Sequence, residues 1–338
     1  MEAEELIESL VRALMFIAGV VGNNWLAVSS LPKALSGLRT NEILFINLAI
    51  SNLITNYLVD LPDTMADFAG SWFLGETYCG VFRFSADLSE TSSIFTTFFI
   101  SIFWHQKLVG SLKRGGGPVR LDSLRLVAFL LAGSWTVAVV FSLPHFFFVK
   151  VEGSNETELD CVDYFPDVIA GQTYEIIYLT LANALPLAGI ITISVQIVIT
   201  LLQNYKRVKG HETELSKKKD ATRIDEKRKG VDAVPQGRPS SKTRSPNLAG
   251  QPDALPRPTQ VSAKAGSRIH VRAAKSVVAV ASVFLVCWLT HLLLRITSNV
   301  SMSPIAVEVA SYLAASYTCV IPYIFLSGVK KLSCACHS

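Results

Sequence analysis

Asp87 and Glu90 stand three residues apart in ADLSETSSIFTTFFISIFWHQ (86–106), a stretch otherwise rich in apolar, aromatic and hydroxyl side chains. On a helix that spacing puts both carboxylates on one face. An acid does not enter an apolar helix without a partner or a purpose. Complementary charge lies elsewhere in the chain: His291 and Arg295 share a helical face at i and i+4, and Arg83 sits one turn before Asp87. Glu175 adjoins Tyr174, while Asp60 and Asp63 bracket Pro62. Paired carboxylates can perform acid–base catalysis, but an enzyme needs its two groups at matching depth. Asp60 and Asp87 could be offered, but no motif supports them. Binding charge is the better use, in a polar cavity for a small, charged, water-borne molecule. The competing reading pairs Asp87 or Glu90 with Arg83 or Arg295 merely to hold helices together. No metal or cofactor is expected.

These residues must be positioned by membrane-spanning helices. Half of the 338 residues are hydrophobic and only 17% are charged. The charges crowd into a few stretches and leave seven mostly apolar runs, near 10–31, 42–68, 81–104, 124–149, 173–202, 274–298 and 304–327. Each has roughly the 20 residues needed to cross about 30 Å of hydrocarbon. Backbone polar groups at that depth must be satisfied internally, so the expected fold is all-α, a seven-helix membrane bundle. The third run is the least apolar. The seventh carries Ala310, Ser311, Ala314, Ala315 and Ser316, small residues that suit close helix packing.

The connecting segments alternate in charge. MEAEELIE and VEGSNETELDCVDYFPD are acidic; LPKALSGLRT and KLVGSLKRGGGPVR are basic. The segment 203–275 holds 18 Lys and Arg against 7 Asp and Glu. Positive charge inside predicts an outer N-terminus and a cytoplasmic C-terminus. The net charge of +4 then reflects loops facing an anionic leaflet, and nucleic acid is not an expected partner. No cleavable signal is expected, because the first residues are acidic and the first run is long enough to span. The expected divisions are an outer segment 1–9, spans one to five over 10–202, a basic, largely disordered loop 203–273, spans six and seven over 274–327, and a cytoplasmic tail 328–338. Composition poor in core-forming residues places the disorder at about 217–266.

On this topology Cys79 and Cys161 both face an oxidising compartment, which permits a bridge. Cys287 and Cys319 lie within spans as small packing residues. Cys334 and Cys336 follow Lys330 and Lys331 past the last span, a placement that suits S-palmitoylation; two free thiols is the other reading. Asn155-Glu156-Thr157 is a glycosylation sequon in the acidic outer loop, and Asn299 heads a second one close to the membrane.

Seven spans, an outer N-terminus and a cysteine at the head of the third span resemble the rhodopsin-like G-protein-coupled receptors. Gly22-Asn23, NLAISN (47–52), Trp135, Pro186, FLVCWLT (284–290) and IPYIF (321–325) occupy the places of that family's span motifs. The departures are equally specific. Asn52 stands for the acid that holds a sodium ion in most of the family, Thr290 for the sixth-span proline, and Ile321 and Phe325 for the Asn and Tyr of the seventh. FWHQKLV ends the third span where Asp-Arg-Tyr is usual, with Trp104 in the arginine's place. This set, with LRTNEILFINLAISN and TNYLVDLPDTMADFAG, looks most like the fish olfactory receptors of class A-like type, relatives of vomeronasal type 1 receptors, and closest to their fourth subtype.

The resemblance implies a receptor of the plasma membrane, not an enzyme, that binds an odorant or pheromone in the outer half of the bundle. It implies a Cys79–Cys161 disulfide, and a ligand site drawn from Asp87, Glu90, His291, Arg295, Arg83 and Glu175. Trp288, Pro186 and Pro322 match the switch positions. Binding would shift a pre-existing equilibrium and open an inner cleft to a heterotrimeric G protein. Without the arginine latch, Trp104, His105 and Lys107 are the candidates for holding the inner half shut. A polytopic transporter is the alternative, but no repeated pattern of broken helices is visible. An opsin-like pigment would need a seventh-span lysine, and none lies at 304–327.

Overall fold

The computed structural model describes residues 3–32, 37–112, 119–153, 159–229, 271–272, 274–287, 289–290, 309, 312–313 and 315–334. Close Cα packing divides the chain into two units, Met1–Val198 with Ser267–Ser338, and Ile199–Gly266. Trp288, His291, Arg295, Asn155, Asn299 and Cys336 fall outside the described residues, as does the side chain of Cys334.

Helix α1 (Ala3–Ser30) ends where Pro32 follows Leu31, since the residue before a proline is pushed out of helical geometry. α2 (Thr40–Thr55) opens with the Glu42 carboxylate accepting the Arg39 N–H at 2.8 Å, so the first turn caps itself. A π-turn over Asn56–Asp60 leads into α3 (Leu61–Ala69), which closes on Gly70 at φ 70°. A second π-turn, Leu179–Ala184, joins α6 (Val168–Tyr178) to α7 (Leu185–Lys229). Both π-turns directly precede a proline at the second helical position, Pro62 and Pro186. A proline ring clashes with the carbonyl four residues back, and the wider turn relieves that crowding.

α4 (Gly75–Leu112) and α5 (Leu124–Phe147) pack side by side, and α4 also packs on α2. At 38 residues α4 is about 57 Å long. The stretches Leu6–Ser30, Thr40–Ala69, Leu124–Phe147 and Val168–Arg207 are long and apolar enough to cross a membrane, and α8 (Ala274–Cys287) and the Tyr317–Gly328 part of α9 (Tyr317–Cys334) are shorter apolar helices. α4 is long enough too, but its polar residues are turned inward rather than absent. Ser85, Asp87, Ser89, Thr91, Ser92, Ser93, Thr96, Thr97 and Ser101 are all buried. Against α2 they form a ladder: Thr55–Ser89 at 2.8 Å, Ser51–Ser92 at 2.7 Å, Ser93–Asn52 at 2.7 Å and Asn47–Thr96 at 2.7 Å. Trp135 of α5 donates its indole N–H to Asn47 at 2.9 Å. Large apolar side chains face outward instead, among them Leu14, Phe129, Val140 and Ile169, as lipid contact requires.

Two features depart from the sequence reading. The acidic segment after α5 folds into an antiparallel hairpin, β1 (Val149–Gly153) with β2 (Leu159–Asp163), in which Val151 faces Cys161. Alternating apolar and charged residues in VKVEG suit a strand, and the Cys79–Cys161 disulfide ties the hairpin to α4 across 5.5 Å between Cα atoms. The second departure is that α7 stays helical through Lys229, inside the stretch read as disordered. Lys, Arg and Glu are good helix formers, and a solvated helix needs no core.

At the Leu112 end of α4, Lys107 pairs with Asp122 at 2.6 Å. The Asp122 carbonyl accepts from Thr40 at 3.3 Å, and Gln106 accepts the Leu121 N–H at 3.4 Å. This clasp binds α2, α4 and the short turn Arg120–Asp122. Trp104 is buried with its ring edge-on to Phe103.

Candidate functional site

A cluster of charged residues lies at the Cys79 end of the bundle, around Asp87 and Arg83. Asp87, 6% exposed, is hydrogen-bonded to Nδ1 of His145, 2% exposed. His145 follows Pro144 in the last turn of α5, so the acid on α4 is met by an imidazole from the neighbouring helix. A carboxylate only accepts, so Nδ1 carries the shared proton. The other nitrogen, Nε2, looks toward Asp163 Oδ1 at 3.9 Å and Glu175 Oε1 at 3.8 Å. Both distances exceed a hydrogen bond. Tyr174 and Phe165 wall the imidazole with ring centroids 5.0 and 5.8 Å away, and the Tyr174 hydroxyl donates to the Phe141 carbonyl.

Arg83, one turn before Asp87, donates to the Cys161 carbonyl at 2.7 Å and reaches Asp163 at 3.7 Å. It also lines a cavity of about 980 Å³, together with Arg12, Asp63, Asp67, Trp72 and Asp160. Across that cavity Arg12 of α1 clamps two acids of α3, Asp63 and, at 2.9 Å, Asp67. Its guanidinium lies 5.7 Å from the centre of the Tyr312 ring. Asp60 is held by the Asn56 amide at 2.8 Å. Charge is therefore continuous from cavity wall to bundle interior, through Arg83, Asp163, His145 and Asp87.

Four of the ligand-site residues expected from sequence lie in described segments. Asp87, Arg83 and Glu175 come together around His145, while half-buried Glu90 is within electrostatic reach of Tyr178 and Tyr317. His291 and Arg295, expected opposite them, are outside the described residues, as is Trp288. Pro186 sits in the first turn of α7, and Pro322 lies in α9 against Gly22 of α1. Sequence reasoning missed Arg12, His145 and Asp163. The one signal for His145 was an imidazole at the end of an apolar run, and for Arg12 a cation inside one.

Asn52 is also accounted for. Its amide donates to Asn23 at 3.0 Å, and its carbonyl accepts from Ser93 at 2.7 Å. Asn23 in turn donates to the Gly19 and Thr318 carbonyls, each at 2.9 Å. Amide and hydroxyl groups thus fill the place where an acid would face an ion.

The family described as "7 transmembrane receptor (rhodopsin family)" matches residues 23–325. The chain belongs to that family. That family consists of multi-pass membrane receptors, not enzymes, and the seven-helix fold expected from hydropathy is correct. The receptor is 27% identical to a rhodopsin of Cambarus hubrichti over 54% of its own length and 58% of the relative's. It is 28% identical to a rhodopsin of Orconectes australis over 61% and 64%. It is 24% identical to galanin receptor type 1 of Rattus norvegicus over 65% and 63%. The chain thus spans less than two thirds of the length of these curated relatives. The crystal structure of squid rhodopsin has the same fold, with a TM-score of 0.64 and 18% identity over 99% of this chain and 85% of that one. Membership leaves the transporter alternative without support.

Proposed function

We propose that this receptor is chemosensory, binding a small, charged, water-borne odorant or pheromone at the Cys79 end of the bundle and activating a heterotrimeric G protein at the other. One observation carries the reading. A run of charged side chains leads from a large polar cavity at Arg83 to a buried acid–imidazole pair at Asp87 and His145. Burying such groups costs several kcal/mol each unless they are paired, so the receptor spends stability to keep charge there. A ligand bearing an acid and a base can replace internal partners on both sides. The chemosensory assignment rests on the resemblance carried by LRTNEILFINLAISN, FWHQKL and TNYLVDLPDTMADFAG, and the lack of a lysine at 304–327 speaks against a pigment.

Basic segments after the first, third and fifth spans favour an outer N-terminus, which puts the cavity outside and Cys334 and Cys336 in the cytoplasm. The Lys107–Asp122 clasp then takes the role of the missing arginine latch at the inner face. A panel of charged odorants applied to cells expressing the receptor tests the site. Glu90→Gln and Arg295→Gln are expected to shift ligand charge preference while surface expression persists. If both variants keep the wild-type dose response to every active odorant, the charges serve helix packing and the assignment fails.

A further inference from the structure

We propose that His145, Asp163 and Glu175 form a binding site for one divalent transition-metal cation of the zinc class. The site goes beyond the organic ligand and does not depend on its identity. Three elements supply it: α5 gives the imidazole, β2 one carboxylate and α6 the other. The ligand atoms lie within 4.8 Å of one another. A tetrahedral zinc ion with bonds of about 2.0–2.1 Å separates its ligands by roughly 3.3 Å. The observed 3.8 and 3.9 Å from Nε2 to the two carboxylate oxygens need close by only about half an ångström to meet that.

The decisive atom is His145 Nε2. It is buried and has no hydrogen-bond partner among the described residues, although a neutral imidazole whose Nδ1 donates to Asp87 presents a lone pair there. A carboxylate that fixes the far nitrogen of a histidine is the arrangement that orients imidazoles toward metals. Asp87, Asp163 and Glu175 place three carboxylates around the imidazole, and the Arg83 guanidinium reaches Asp163. Acidic surroundings of this kind attract a dication. One nitrogen and two carboxylate oxygens suit zinc and its neighbours and leave a coordination position open to water. The Asp163 and Glu175 side chains are 26% and 29% exposed, so two of the three ligands are open to an arriving ion. Once bound, it would pin the hairpin to both flanking helices.

Equilibrium titration of Zn²⁺ into the full-length receptor in lipid nanodiscs tests the site. The wild type is expected to take up one ion whose affinity falls at least about tenfold in Asp163→Asn and in Glu175→Gln, and about 10–100-fold in Asp87→Asn, which loses only the orienting partner. His145→Gln is expected to abolish uptake. Should that variant misfold, the two partly exposed carboxylate variants still decide the matter, with the Cys79–Cys161 bridge as the folding check. Wild-type receptor that binds no Zn²⁺ below millimolar concentration overturns the proposal. So does unchanged affinity in both Asp163→Asn and Glu175→Gln, which would place the ion at another of the six histidines.

Discussion

Replacing Asn52 with aspartate tests whether the interior of this receptor is built on amides and hydroxyls rather than around an ion. In the wild type the Asn52 Nδ2 donates to Asn23 Oδ1 at 3.0 Å, and both residues are fully buried. The substitution puts an acceptor where that donor was, so two oxygens face each other. Asn23 can turn its own amide toward the new carboxylate only by giving up its bonds to the Gly19 and Thr318 carbonyls. One hydrogen bond is lost, worth about 1 kcal/mol, and one buried acceptor is left unsatisfied, costing about 1–3 kcal/mol more. Asn52→Asp is therefore expected to destabilise the receptor by about 2–4 kcal/mol in sodium-free buffer. Thermal unfolding in detergent, followed by maleimide labelling of buried Cys287, measures it. Sodium should restore part of the loss in the variant and leave the wild type unmoved. A variant that melts with the wild type in choline chloride would show that the asparagine network is not what fills this site.

Arg12→Met leaves Asp63 and Asp67 facing each other one turn apart. A fully buried pair would cost about 3–5 kcal/mol to break; these side chains are a quarter to two fifths exposed, so about 1–2 kcal/mol is expected. Adding Asp63→Asn and Asp67→Asn should recover most of it in a mutant-cycle melt, and a triple variant less stable than Arg12→Met would contradict the clamp. Gly22→Ala puts a methyl 2.9 Å from both the Pro322 ring and the Tyr323 ring, prising α1 from α9. A loss of about 1–3 kcal/mol should follow, seen as a lower melting temperature. For topology, Asn155 should carry an N-glycan by peptide mapping, and protease added to intact cells should spare 203–272. Cleavage within that loop would reverse the proposed orientation.

Local signals were legible, and so was one long-range pairing, the Cys79–Cys161 bridge that the family resemblance implied; the side-chain pairings of the site were not. Each apolar run betrays a span because hydrocarbon selects residues one at a time. Asp87 was conspicuous for the same reason, as a charge that hydropathy alone forbids. His145 breaks no such rule at the end of a span, and its partner lies 58 positions away in the chain. Arg12 and Asp63 are 51 apart, on helices whose relative rotation no periodicity reveals. The prolines announced themselves, but not the π-turns that precede Pro62 and Pro186, because the remedy for a proline clash is shared by several residues. The hairpin was hidden by composition: a strand of five residues held by one disulfide needs little apolar content of its own.

The division of α4 into two kinds of polar group bears on how a ligand could move this bundle. Toward Cys79 the helix carries carboxylates; from Ser92 to Thr96 it carries hydroxyls that meet α2 in short hydrogen bonds. Each hydroxyl bond contributes about 0.5–1.5 kcal/mol net and can re-form one rotamer away. Removing the partner of a buried charge costs about 3–5 kcal/mol and has no such local remedy. Inverting a 1:99 equilibrium takes about 5.5 kcal/mol of differential binding. A ligand that exchanged partners with Asp87 or Glu90 would act on energies of that size at one end of the helix, while the ladder below offers many small terms that can re-register in response. On the proposed function, the carboxylates would be where binding energy enters α4, and the hydroxyl ladder what would let the helix move.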